Sequence, residues 1–198
     1  ILDNLTEPER ARTMRDALRN FYSVLKDSDA HLKFVLITGV SKFSKVSLFS
    51  GLNNLEDITI RADYSSLCGY TSDDLETVFA PELEGVDRAQ IQAWYNGYNW
   101  RGESVYNPFD LLLFFREHEF KSYWFETGTP TFLVDFLAQR RYFTPDLMQL
   151  HTSEKLLSSF DVDYIAPEAL LWQAGYLTFH QVQEPRPGHR IYTLGYPN

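Results

Sequence analysis

The sequence predicts a mixed α/β fold at its N-terminus that turns largely helical and closes on a helix followed by a hairpin. Three observations predict it. A helix-periodic stretch over residues 6–26 feeds a continuous apolar run at Phe34-Val35-Leu36-Ile37. A series of capped helix starts lies between Thr71 and Arg140, and two alternating stretches follow Gly175.

In the first stretch Thr6 is placed as N-cap and Pro8 suits the first turn. Met14, Leu18, Phe21, Tyr22 and Leu25 recur at helical spacing. Residues 31–39, His-Leu-Lys-Phe-Val-Leu-Ile-Thr-Gly, then read as a buried strand. A helix feeding a strand that is apolar on both faces is the habit of a parallel α/β sheet. After a Ser/Lys-rich turn, Asp57-Ile58-Thr59-Ile60 reads as a second short strand.

Thr71-Ser72-Asp73-Asp74 starts a helix with acidic residues in its first turn, where they meet the positive end of the dipole. A further helix is expected over 87–94. Tyr95-Asn96-Gly97-Tyr98 ends it, and residues 100–106 form a small hairpin turning at Arg101-Gly102. Asn107-Pro108 opens a helix to about residue 119, and Thr129-Pro130 starts another through residue 140. Residues 164–175 make the last helix, with Pro167 in its first turn and Gly175 as a left-handed C-cap. Residues 176–182 and 190–194 alternate in polarity and are joined by Glu184-Pro185-Arg186-Pro187-Gly188. A helix leading into a hairpin is the closing arrangement of a winged-helix unit.

The composition bounds the function. Hydrophobic residues make up 44% of the 198, enough for one large domain or two small ones sharing a core. No window approaches the roughly 18 apolar residues of a membrane span, and no signal peptide is visible. Cys68 is the only cysteine, which excludes a disulfide framework and a cysteine-rich zinc site. A reducing, cytoplasmic setting without membrane contact is the expectation. The first residue is Ile1, so the natural start is expected upstream. A net charge of −9 works against whole-surface attraction to phosphate backbones, and nucleic acid is not the expected partner.

Gly39-Val40-Ser41-Lys42-Phe43-Ser44-Lys45-Val46 lies close to the phosphate-binding loop G-x4-G-K-[ST] but fails at two positions that matter. Ser44 replaces the second glycine, and Val46 replaces the hydroxyl that holds magnesium. It is a decoy. His31, His118, His151, His180 and His189 are scattered, with no recognised metal spacing. Asp161 and Asp163 read as capping groups, and Cys68, without a helper, as packing. The aromatic segments 94–100 and 123–125 suit core packing better than base stacking. Arg140-Arg141 and the hairpin residues Arg186, His189 and Arg190 read as solvated charge.

Six stretches in order carry a family resemblance. They are Phe34-Val35-Leu36-Ile37-Thr38-Gly39-Val40-Ser41-Lys42-Phe43, Leu48-Phe49-Ser50-Gly51-Leu52-Asn53-Asn54-Leu55, and Leu67-Cys68-Gly69-Tyr70-Thr71. The others are Trp94-Tyr95-Asn96-Gly97-Tyr98, Val105-Tyr106-Asn107-Pro108-Phe109, and Tyr123-Trp124-Phe125-Glu126-Thr127-Gly128-Thr129-Pro130. The chain resembles the AAA-ATPase-like family, bacterial P-loop proteins often fused to a PD-(D/E)XK nuclease-like domain. The resemblance implies that Walker A and Walker B lie upstream of Ile1, and that a fused nuclease-like domain would follow Asn198. It divides the chain into the C-terminal half of a P-loop NTPase core with its sensor-1 strand (1–66), a helical lid (67–141) and a winged-helix-like unit (142–198).

The resemblance further implies two pieces of nucleotide machinery. Thr38 and Ser41, at the polar end of the sensor-1 strand, would face the γ-phosphate of ATP. On the residues alone, the favoured reading is that Thr38 ends a strand and Ser41 caps the following turn. Gly128-Thr129-Pro130 is similar to the G-x-P motif of STAND-type ATPases, in which proline packs on adenine, though Gly-x-Pro is also an ordinary helix start. ATP or ADP with Mg2+ would then be the parent's cofactors, met through the upstream half. The fragment would bind neither tightly and would be inactive alone. Self-association remains open. The alternative is an interaction module for protein or nucleic acid acting through the helix–hairpin end. Residues 166–175 hold no Lys or Arg, which disfavours major-groove readout.

Overall fold

A computed structural model describes residues 7–39, 54–128, 131–139, 141–142, 144–154, 157, 160–161 and 164–198. The chain divides into two compact units, one of residues 1–57 with 152–174, the other of residues 58–151 with 175–198.

In the first unit, α1 (Pro8–Asp27) follows the predicted periodicity, with Pro in its first turn. Its N-cap is Glu7, without a side-chain cap, and Thr6 lies outside the described residues. Ala11 is buried, whereas Phe21 is 69% exposed and Val24 56%. The buried strand expected over 31–39 is not formed: residues 32–39 carry no strand pairing, and Phe34 is 80% exposed. The physical reason is pairing. A strand apolar on both faces is stable only with neighbours supplying backbone partners, and no described strand lies alongside this one. Two short strands, β4 (Phe160–Asp161) and β5 (Tyr164–Ile165), pair antiparallel. The last helix therefore begins later than the pattern suggests, as α7 (Pro167–Gln173), and buries Ala169, Leu170, Leu171 and Trp172. Gln173 Nε2 donates to the Leu157 carbonyl at 3.0 Å. Gly175, at φ +83°, follows the helix in the left-handed conformation expected of it.

The second unit is built on short helices and two hairpins. The strand expected at residues 57–60 is instead a turn, closed by Arg61 N–H donating to the Ile58 carbonyl and held by Arg101 Nη1 donating to the Ile60 carbonyl at 2.9 Å. Helix α2 (Ser72–Thr77) starts on a capping box. Thr71 Oγ1 accepts from Asp74 N–H, while the Asp74 carboxylate accepts from Thr71 N–H. Helix α3 (Arg88–Tyr95) is capped by Asp87, and α4 (Pro108–Glu117) by Asn107. Helix α5 (Tyr123–Gly128), unforeseen in the sequence, precedes α6 (Thr131–Gln139). Leu75, Leu83, Ile91, Tyr95, Tyr106, Leu111, Phe114 and Tyr123 form the core between these helices.

Strands β1 (Asn96–Asn99) and β2 (Ser104–Tyr106) form the first hairpin; its turn, over residues 100–103, includes the expected Arg101-Gly102, but its first strand lies before the expected 100–106, in the segment read as the end of the helix. Asn99 clamps that turn. Its Oδ1 accepts from Arg101 N–H and its Nδ2 donates to the Gly102 carbonyl, both at 2.8 Å. The second hairpin is β6 (Thr178–Arg186) with β7 (His189–Gly195), and β3 (Leu150–Ser153) lies on the other edge of β7. Its strands run further than the alternation implies. Pro185 sits where the register slips, between Gln183 and Arg186, so the missing N–H costs no ladder bond. Only Pro187-Gly188 remain as the turn.

The hairpins meet at Thr178, whose hydroxyl accepts from Asn99 N–H at 2.6 Å and donates to the Asn99 carbonyl at 3.2 Å. The tail seals the same place. Gly97 has φ +130°, and the Pro197 carbonyl occupies the space a side chain there would need. The Asn198 side-chain amide donates to the Trp94 carbonyl, and the Tyr196 carbonyl lies 2.8 Å from His180 Nε2. Gly97→Ala is therefore expected to strain the backbone and displace the tail. Urea unfolding should show a loss on the order of 1–3 kcal/mol with little change in slope; an unchanged midpoint would show that the tail contact carries no stability.

Candidate functional site

Helix α5 ends at Gly128, the first residue of the Gly128-Thr129-Pro130 motif singled out in the sequence; Thr129 and Pro130 lie outside the described residues. That helix has six residues, too few to persist without anchoring. The anchor comes from α4. Asn107 Oδ1 accepts from the N–H groups of Phe109 and Asp110, at 3.0 and 3.4 Å, leaving Asp110 in the first turn. The Asp110 Oδ1 then accepts from Trp124 N–H, in the first turn of α5, at 2.6 Å. One carboxylate thus sits at the N-terminal ends of two helices, where the peptide dipoles favour negative charge.

Asp110 is 7% exposed. Burial raises its pKa above the ordinary 3.8, and the bond from Trp124 N–H pulls the other way. Aromatic side chains gather around its neighbours Trp124 and Asn107. Trp124 packs on Tyr176 with ring centroids 4.9 Å apart, and both Trp124 and Tyr98 approach Gly175. The Tyr98 hydroxyl accepts from Asn107 Nδ2 at 3.5 Å, and burial pushes its pKa up to about 12. Tyr123, beside Trp124, donates its hydroxyl to the Glu119 carbonyl at 2.7 Å.

Of the residues singled out from the sequence, Thr38 is described: it is exposed, outside any regular element. Ser41 and Pro130 lie outside the described residues, as does the decoy loop from Val40 to Val46. The aromatic segments divide. Tyr95 is fully buried, ring against Phe114 and Phe120, whereas Trp94 and Phe125 are exposed. At the tip of the β6–β7 hairpin, Glu184 accepts from Gly188 N–H at 2.8 Å and from Arg190 Nε at 3.2 Å. Those bonds lower the Glu184 pKa and neutralise one of the hairpin's cations. Among the described residues no three His, Cys, Asp or Glu side chains are grouped to hold a metal ion. None of the described helices is long and apolar enough to cross a membrane.

Asp110 did not stand out in the sequence. It reads there as one more acid in a helix's first turn. Its partner lies 14 residues on, at the start of a helix the apolar pattern does not announce.

The comparisons agree with the reading at the N-terminus. Residues 1–49 match the AAA-ATPase-like family model, described as predicted AAA-ATPase, so the resemblance drawn from the sequence is borne out there. A protein of Azotobacter chroococcum mcd 1, "Uncharacterized protein in vnfD 5'region", is 65% identical over all 198 residues. The chain spans 38% of that relative's length. No solved structure matches the chain.

The raised Asp110 pKa has a consequence for stability. The native state holds this proton more tightly than the unfolded chain, so the group's stabilisation is complete below the ordinary Asp range. It is lost as pH rises through the raised value. Asp110→Asn keeps an acceptor for Trp124 N–H and carries no charge. Urea unfolding from about pH 3 to about pH 7 is expected to show the wild type losing stability relative to Asn as pH rises. A gap that stays constant across that range would remove Asp110 from the linkage.

Proposed function

We propose that the chain is part of an ATP-binding AAA- or STAND-like ATPase, contributing nucleotide sensing and lid contacts while hydrolysis depends on residues outside it. The observation that carries the reading is the family match over residues 1–49, the stretch that contains Thr38 and Ser41. In this proposal their hydroxyls face the γ-phosphate, and Pro130 packs on adenine. A lid-helix start at Pro130 is supported by α6, which begins at Thr131 directly after it. The exposed Thr38 hydroxyl is accessible to a phosphate oxygen.

Phosphoryl transfer to water needs a lysine on the β- and γ-phosphates, a hydroxyl and an acid holding Mg2+, and a group orienting the water. The sequence holds no G-x4-G-K-[ST] loop to supply the first two. Bound Mg2+ would neutralise charge on the transferred phosphoryl group; Thr38 and Ser41 would report its presence by hydrogen bonding. The lid contact, Pro130, would hold the base without taking part in proton transfer.

Titrating fluorescent ATP and ADP analogues into this chain, and into a longer natural chain that restores the upstream loop, tests the proposal. Binding is expected only in the longer chain, weakened several-fold by Pro130→Ala and by Thr38→Val, in keeping with the loss of one packed or hydrogen-bonded contact. Absence of binding in both chains would make nucleotide the wrong ligand.

A further inference from the structure

The carboxylate of Asp110 is satisfied on one side only. Its Oδ1 accepts from Trp124 N–H, while Oδ2 accepts no hydrogen bond and meets no cation among the described residues. Asp110 is 7% exposed, and Oδ2 is not sealed from solvent. An acceptor so nearly buried and still unpaired costs stability unless a donor reaches it from outside.

Three aromatic rings stand around the same place. Tyr98 lies within electrostatic reach of both the Asp110 carboxylate and the Tyr176 phenol, and its hydroxyl takes only a long contact, 3.5 Å, from Asn107 Nδ2. The Trp124 ring packs on Tyr176. Ring atoms of Trp124 and Tyr98 each lie 3.8 Å from where a side chain on Gly175 would begin. At φ +83° a side chain there would strain the backbone, so the glycine keeps that space clear. Tyr98, Trp124, Gly175 and Tyr176 are each half-buried, so the cluster reaches solvent.

This chemistry selects its ligand. Ring faces carry negative potential and attract cations. A metal ion such as Ca2+ or Mg2+ needs several oxygen ligands, and one carboxylate among rings does not supply them. An anion is repelled by Asp110, and an apolar molecule leaves Oδ2 unpaired. An organic cation carrying N–H donors answers both the oxygen and the rings.

We propose that Asp110, Tyr98, Trp124 and Tyr176 form a binding site for a primary alkylammonium group. The ammonium donates to Asp110 Oδ2, and the alkyl stem lies against the rings. A free amine and a lysine side chain of a partner protein present the same head, and the net charge of −9 favours the approach of either. The site stands apart from the nucleotide reading and does not depend on it.

Isothermal titration of the longer natural chain with n-butylammonium, Nα-acetyl-lysine amide and n-butanol tests the site. A cation is expected to bind with a Kd on the order of 1 mM, and n-butanol about tenfold more weakly or not at all. A tighter lysine amide identifies a protein partner, a tighter n-butylammonium a free amine. Asp110→Asn keeps the acceptor for Trp124 N–H without the charge and should weaken cation binding about tenfold or more. Tyr98→Leu should weaken it about three- to tenfold. Should Tyr98→Leu fail to fold, Trp124→Phe, which keeps a smaller ring, takes its place. The bound cation should raise the urea midpoint of the wild type and leave that of Asp110→Asn unchanged. The site is overturned if neither cation binds, if n-butanol binds as tightly, or if Asp110→Asn or the ring variant keeps the wild-type affinity.

Discussion

Tyr95 is buried completely and yet polar at two points, and both points are used. Its hydroxyl accepts from Lys121 N–H at 3.2 Å, and its carbonyl accepts from Asn107 N–H at 2.9 Å. Its ring packs against both Phe114 and Phe120, and burial pushes its pKa up to about 12. The residue ends α3 and delivers the chain into β1, so one residue, through its side chain and its carbonyl, ties the helical core, the approach to α5 and the start of α4 together. A buried phenol left without these partners would cost on the order of 1–3 kcal/mol. Satisfying it constrains everything that meets there.

From Tyr95 outward the constraints follow in sequence. Gly97 bends β1 and leaves room for the tail; Asn99 shapes the hairpin turn with its side chain and meets Thr178 with its backbone. Thr178 is wholly buried because its hydroxyl serves both backbone groups of Asn99. The second hairpin then closes on a pair of packed rings, Phe179 and Tyr192, with centroids 4.7 Å apart. Asn107 sits one residue after β2, so the hairpin that Tyr95 positions also sets where α4 begins, and hence where Asp110 meets α5.

The first unit shows the opposite balance. Its N-terminal helix keeps Phe21 and Val24 in solvent, and residues 32–39 leave Phe34 and Leu36 exposed. Those residue types are what a sheet interior uses, and this is also the stretch that matches the predicted AAA-ATPase family. Apolar composition and backbone pairing are separate requirements. The sequence supplies the first at residues 34–37, while the second depends on strands that the described residues do not provide.

Local chemistry was legible wherever a residue's partner lies within a turn of it. Thr71 with Asp74, Asp87, Asn107 with Pro108, the Arg101-Gly102 turn and the left-handed Gly175 were all determined by the sequence. Each depends on backbone groups two to four residues away. The family resemblance was legible for a related reason, since motifs are local text. What only the tertiary structure decided were the long-range pairings. Residues 31–39 and 57–60 look like strands by composition but have no strand partner among the described residues; α5 looks like nothing by periodicity but is held by Asp110. Thr178 and Gly97 acquire their roles from residues that are distant in sequence. A hydrogen bond or close approach across such a separation leaves no periodic trace, because its cost and its gain are settled only when the chain has folded.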